Sequence, residues 1–263
     1  ISRHGIDHLV DLPGVGKNLQ DHIDYITVHK YNSMKLIGFS LKTILFKYPY
    51  EVIKYLITKT GLFTSTIAEA GAFLKTRDDL EAPNIQFHYA PAMVIDHGRQ
   101  LLWGTGMSCH SCLLRPKSRG EVTLESADPF ADPLIDPKFL SHPDDMKDMI
   151  DGYKIMMKVL GTEPFSKYIS DHTMRPIDIN DDSDIEQAMR EEADTVYHPV
   201  GTCKMGDDEM SVVDSRLKVH NMKGLRVVDA SIMPTLVGGN TNAPTIMIGE
   251  KASDMILQDW NMH

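Results

Sequence analysis

The sequence predicts an α+β fold in which an antiparallel sheet carries helices on one face. Three observations predict it: short strand-like runs fill 68–126, an amphipathic stripe marks a long helix over 143–160, and a strand, a Gly/Asn-rich loop and a helix start follow one another near the carboxy terminus. With 263 residues the chain can bury roughly 70–75% of its unfolded surface, enough for a sizeable core. Hydrophobic residues at 42% and charged residues at 24% exclude disordered, collagen-like and coiled-coil classes.

Each element has its own signal. Residues 9–12 are a short, largely apolar run that enters Pro13-Gly14-Val15-Gly16, a strand passing into a tight loop. Residues 24–30 alternate like a strand. Over 41–60, Leu41, Ile44, Leu45, Tyr48, Val52, Tyr55 and Leu56 recur at helical spacing around Pro49, which predicts two short helices or one kinked helix stopped by Gly61. Strands are predicted at 71–74, 85–89, 107–115 and 121–125. The helix over 143–160 places Met146, Met149, Ile150, Tyr153, Met157 and Leu160 on one stripe, with acidic residues in its first turn where the macrodipole favours them. Ser183 and Glu186 read as a capping box for a helix reaching 193. Residues 225–231 read as a strand, and 243–257 as a helix with Asn242 as N-cap and Pro244 in its first turn.

Net charge is −10, which argues against nucleic acid and against an anionic membrane surface as partners. Charged residues or proline break every apolar stretch before about 18 residues, so no transmembrane helix is expected. The first residues carry neither the apolar region nor the cleavage pattern of a signal peptide. Three cysteines are too few for a disulfide framework and leave the compartment open.

His198 is the leading candidate for chemistry. It precedes Pro199, which favours an extended backbone, and small residues follow, leaving room for a ligand beside the ring of a general base. Asn240 lies just before a helix start, where an amide and free backbone N–H groups can converge on an oxygen gaining negative charge, although capping alone also accounts for an Asn there. Asp229 ends the strand at 225–231, where anchoring a loop is the simpler role. Cys109 and Cys112 form a Cys-x-x-Cys pair, but on a strand residues three apart point to opposite faces and cannot chelate one ion; no metal site is expected. Cys203 near His198 admits a rival reading as a nucleophilic thiol of a hydrolase.

Four segments, taken in order, resemble the flavin-dependent glucose–methanol–choline (GMC) oxidoreductase family. They are Pro13-Gly14-Val15-Gly16-Lys17-Asn18-Leu19-Gln20-Asp21-His22, Pro116-Lys117-Ser118-Arg119-Gly120, His198-Pro199-Val200-Gly201-Thr202, and the stretch from Val228-Asp229-Ala230-Ser231 through Asn240-Thr241-Asn242-Ala243-Pro244. The pattern is closest to the insect glucose dehydrogenase-like members. The resemblance implies FAD as cofactor, an alcohol or sugar as substrate, and oxygen or a quinone as electron acceptor. It further implies His198 as the base that takes the hydroxyl proton and Asn240 as its catalytic partner. Asp229 and Ala230 then approach the ribityl–phosphate portion of the flavin, and the backbone at Asn242 and Ala243 faces its pyrimidine edge. On this reading 1–27 and 212–263 are pieces of an α/β FAD-binding domain, and 28–211 is the substrate-binding domain. An extracellular location is compatible with the resemblance.

No Gly-x-Gly-x-x-Gly pattern occurs in the sequence, so the Rossmann βαβ unit that cradles the pyrophosphate is missing. The chain therefore reads as the carboxy-terminal half of a longer oxidoreductase. The alternative is a non-catalytic, half-length binding or interaction protein without FAD.

Overall fold

The computed structural model describes residues 2–260 apart from 32, 34, 96, 97, 101 and 170–174. Its contacts divide the chain into two compact units, the first formed by Ile1–Ile23, Leu114–Asp145 and Thr195–His263, the second by Asp24–Leu113 and Met146–Asp194. Segments 114–145 and 195–211, placed by sequence with the middle of the chain, thus cluster with the two ends. The physical reason is backbone pairing: Leu19 bridges Gly120 and Gln20 bridges Val200, so the amino-terminal loop zips onto both segments.

The second unit is built on an antiparallel sheet. Strands β1 (Ile23–Lys30), β2 (Gly38–Phe39), β3 (Ala70–Leu74), β4 (Ile85–Ala90) and β5 (Gly104–Leu113) are ordered β3-β4-β5-β1, with β2 also pairing β5. A π-turn over Thr43–Lys47 runs without a break into helix α1 (Tyr48–Thr58), and Pro49, which has no N–H to donate, sits where the π-turn passes into the α-helix. Lys59 in the left-handed region ends α1 two residues before the predicted stop at Gly61.

Helix α2 (Pro143–Leu160) has the predicted bounds. Its buried stripe is Met149, Tyr153, Met156 and Leu160, so Met156 rather than Met157 faces the core; Met157 is only partly buried. The helix packs on one face of the sheet, where Tyr153 meets Tyr25 edge to face at 5.8 Å between ring centroids. Gly152 makes this approach possible, because a Cβ there would lie 3.0 Å from both Ile85 Cδ1 and Ser111 Oγ. Helix α3 (Asp182–Glu192) is capped differently from the expectation: Asp181 is the N-cap and accepts the Ser183 N–H, so the Ser183/Glu186 box does not form.

The first unit holds strands β6 (Glu121–Thr123) and β7 (Leu134–Asp136), paired antiparallel, and helix α4 (Asn242–Asp259). Its core gathers Val200, Val213, Leu217, Ile232, Leu236, Ile248 and Ala252. Two predicted strands are not strands. Residues 9–12 carry no strand, and 225–231 gives only an isolated bridge between Arg226 and Lys218 before a 3-10 turn at Ala230–Ile232. At 225–231 only Val227 and Ala230 pack against the core, while Leu225 and Val228 are exposed, so no ladder with a buried face forms. Asp145, in the first turn of α2, accepts from the Lys117 N–H at 2.8 Å and from both the N–H and the hydroxyl of Ser118, so the predicted acidic start also anchors the 116–120 segment.

Candidate functional site

The site lies in the first unit and is organised by the short segment Asn18 to His22. Asn18 Nδ2 donates to the carbonyls of Gly201 and Pro234, both at 3.2 Å. Gln20 Nε2 donates to Pro234 O at 3.1 Å while its Oε1 accepts the Leu236 N–H at 3.2 Å. One segment thereby holds the His198 loop on one side and the loop leading to Asn240 on the other.

His198 follows the two-residue strand β8 (Asp194–Thr195). Asp21 fixes its backbone: one carboxylate oxygen accepts the His198 N–H at 2.9 Å and the other accepts the Thr195 hydroxyl. Thr195 Oγ1 in turn accepts the Tyr197 N–H at 2.7 Å, which closes the turn before the histidine. Gly201 completes the segment at φ +98°, and a Cβ there would sit 2.4 Å from Asn18 O, so no side chain fits at this position.

The ring of His198 meets the ring of His22, with 2.9 Å between their Nδ1 atoms. This contact sets both tautomers. His22 is fully buried and its Nε2 faces two carbonyl oxygens, Leu114 O at 3.2 Å and Val237 O at 3.1 Å. Carbonyls only accept, so the His22 proton sits on Nε2 and its Nδ1 is an acceptor. His198 must then donate from Nδ1, which leaves its Nε2 as a lone pair with no protein partner among the described residues. Burial holds the His198 pKa below the ordinary histidine value, against a smaller upward pull from the Asp21 charge. Burial pushes the Asp21 carboxyl up, partly offset by its bonds to Thr195 and His198.

Asn240 is exposed in the loop before α4, three residues beyond the carbonyl that binds His22. The N-cap of α4 is Thr241 rather than Asn242, and no side chain caps the helix. Asn242 and Ala243 are exposed at its first turn, where backbone N–H groups have no intrahelical acceptor. Asp229 caps the turn at Ala230–Ile232 by accepting the Ser231 N–H at 2.8 Å, a loop-anchoring role, and Ala230 opens that turn. Cys203 is half-buried with its thiol pushed up by burial, and the His198 ring is engaged by His22; the thiol–imidazole pair of the hydrolase reading does not form. Cys109 and Cys112 are both buried on β5, and burial pushes the Cys109 thiol far up.

Residue-by-residue reading missed Asn18, Gln20, Asp21 and His22 as parts of the site. Four hydrogen-bonding side chains within five positions, in a segment otherwise read as loop, are a signal that the segment binds other backbone. In the second unit a separate cavity of about 500 Å³ is lined by Asp24, Tyr25, Tyr153, Arg175, Glu191 and Glu192 among others, and holds none of the predicted site residues.

The profile of the GMC oxidoreductase family matches residues 116–249. An alcohol dehydrogenase [acceptor] of Pseudomonas putida is 44% identical over 265 residues, covering 100% of this chain and 47% of the relative. An oxygen-dependent choline dehydrogenase of Cronobacter sakazakii is 39% identical over 246 residues, covering 94% and 44%. Among solved structures, a variant formate oxidase of Aspergillus oryzae studied for FAD modification superposes with a TM-score of 0.89 at 26% identity, covering 100% of this chain and 50% of that one. The chain spans about half the length of the relatives it matches.

Proposed function

The chain belongs to the GMC oxidoreductase family, and from that premise we propose that its first unit carries the base and the ring-facing helix of an FAD-dependent oxidoreductase acting on the CH–OH group of a small alcohol. The observation that carries the reading is the His22–His198 contact, which leaves His198 Nε2 deprotonated and unpartnered.

The residues present fit a flavin. The first turn of α4 is uncapped, and the N–H groups of Asn242 and Ala243 point from a positive helix end, a donor set suited to ring carbonyl oxygens and to negative charge. FAD, when bound, supplies the acceptor for the hydride leaving the substrate carbon. His198 Nε2 accepts the substrate hydroxyl proton, and His22 Nδ1 holds the imidazole in the required orientation throughout. Asn240, carried on the loop that His22 and Gln20 anchor, offers its amide N–H to the substrate oxygen as charge grows on it. Asp229 and Ala230 stand at the end of the segment assigned to the ribityl–phosphate portion.

The relatives' names support an alcohol more than a sugar. The glucose dehydrogenase-like reading and the closeness to insect members rest on sequence pattern alone, and oxygen and quinone both stand as acceptors. In the proposed domain roles 1–27 and 212–263 serve FAD and 28–211 serves substrate, a division by role that departs from the contact-defined units at 114–145 and 195–211.

The test uses the longest natural polypeptide that contains this chain. Anaerobic mixing with a panel of primary alcohols, choline and glucose, followed by flavin absorbance, should show bleaching with at least one alcohol. His198→Gln should retain flavin and lose about 10²–10⁴-fold in the bleaching rate. Residues 1–263 alone should purify without flavin, because the remaining contacts reach only the ring end. Unchanged bleaching in His198→Gln would remove His198 from the mechanism.

A further inference from the structure

The segments 20–22 and 196–200 run antiparallel but differ in length. Gln20 and Val200 exchange backbone hydrogen bonds at 3.0 and 2.9 Å, and the Val196 N–H donates to His22 O at 3.2 Å. Between these points 196–200 bows away from the shorter 20–22, with His198 at the middle of the bow. Bulges of this kind occur beside active sites because the extra backbone re-aims a side chain. The Asp21 carboxylate fills the bow: it accepts the His198 N–H at 2.9 Å and the Thr195 hydroxyl, and it also bonds the His22 N–H. One carboxylate therefore ties down the backbone of both histidines whose rings meet.

The bow contains a strained residue. Tyr197 has φ +64°, in the left-handed region that an aromatic L-residue seldom enters and that Gly or Asn enters more readily. Such strain persists where neighbouring bonds over-determine it. Here the Thr195 hydroxyl does so. Its proton is committed to Asp21, which turns an oxygen lone pair to the Tyr197 N–H at 2.7 Å. Pro199 favours an extended His198, so the turn at Tyr197 sets the direction in which the imidazole leaves the backbone. All of these groups belong to the first unit and bond one another.

We propose that Thr195 is a positioning residue for the base: its hydroxyl holds Tyr197 in the left-handed conformation, and that conformation carries the His198 ring to His22. The inference rests on the reading of His198 as the base. The hydroxyl has two duties, donor to a carboxylate and acceptor from an amide. Serine performs both, whereas valine, of nearly the same shape as threonine, performs neither.

The test uses the longest natural polypeptide containing this chain and reads the ring without turnover. Diethyl pyrocarbonate acylates the neutral imidazole, and mass spectrometry follows the modification of His198 across pH. In the parent the midpoint should lie below the ordinary histidine value of about 6.5, where burial holds it. Thr195→Val should release the ring and raise the midpoint towards that value, and Thr195→Ser should keep the parent's. The limiting rate of flavin bleaching should fall about tenfold in Thr195→Val, at an unchanged half-saturating alcohol concentration, and recover in Thr195→Ser. Tyr197→Asn should make the valine substitution cost less, since Asn accepts a left-handed backbone more readily. If the valine variant does not fold, Thr195→Ala, which sets no added methyl against the carboxylate, takes its place. A parent that bleaches with no alcohol would remove the redox reading and leave the midpoint to decide the proposal. An unmoved midpoint in Thr195→Val, or a serine variant no better than the valine one, would overturn it.

Discussion

In the first unit the ring of His198 bonds to another imidazole, His22, while the Asp21 carboxylate accepts the backbone N–H of His198. In the second unit the arrangement is reversed: His110 Nδ1 lies 2.6 Å from the Asp24 carboxylate, directly ring to acid, with His88 edge-on at 6.1 Å. Another histidine of the second unit, His29, is fully buried with neither ring nitrogen bonded. The difference shows two ways in which a carboxylate can act on an imidazole. On the ring it would hold the imidazolium; on the backbone it orients the segment and leaves burial to dominate the ring. His22 then supplies direction without charge.

The largest effect concerns the histidine with no partner. Burial lowers the His29 pKa from 6.5 to about 4. Between those two values the unfolded chain takes up a proton that the folded chain refuses. Stability therefore falls as pH drops from about 6.5 towards 4 and is unaffected by this group above that window; the full difference is about 3 kcal/mol. Urea unfolding across this range should show the slope in the parent and lose His29's share of it in His29→Phe, with His29→Met as the check against overpacking. An unaltered slope in both variants would show that His29 finds a proton acceptor in the folded state.

The second test removes the imidazole-to-imidazole contact. His22→Phe keeps a ring in the cavity but offers no acceptor to His198 Nδ1–H, so the His198 ring is free to turn and to adopt either tautomer. One neutral hydrogen bond is worth about 1 kcal/mol, and misdirection of the base adds to it, so the flavin-bleaching rate should fall about tenfold with substrate affinity little changed. A purely structural role would lower the melting temperature and leave the rate per bound flavin untouched.

How far the sequence carried this site can be seen residue by residue. His198 and the helix at 242–259 were legible because a His before Pro and a Gly/Asn loop before an apolar helix are local signals. The sheet and α2 were legible for the same reason: period 2 and period 3.6 are written into consecutive residues. The partners of His198 were not, since His22 and Asp21 lie more than 170 positions away and only the folded chain brings them near. The N-caps were misread by one or two residues because Asp181 and Thr241 compete with neighbours of similar chemistry. Residues 225–231 look like a strand because apolar residues cluster there, yet only Val227 and Ala230 of them reach the core.

The smallest expected effect sharpens the comparison most, because it makes the same substitution in both units. Asp21→Asn keeps an oxygen for the His198 N–H, and the Thr195 hydroxyl can rotate to accept from the new amide, so the fold should lose no more than about 1 kcal/mol. What it removes is charge. The Asp21 charge raises the His198 pKa against burial. Without it the imidazole resists protonation further, and the acid limb of the pH–rate profile, already placed below the ordinary histidine value, should move to lower pH. Asp24→Asn removes an equal charge from the His110 ring in the other unit, and should leave that limb where it was. The measurement is the pH dependence of flavin bleaching in the two variants side by side. If Asp24→Asn moves the limb and Asp21→Asn does not, the titrating base is not His198, and the backbone-bound carboxylate has no electrostatic hold on the reaction.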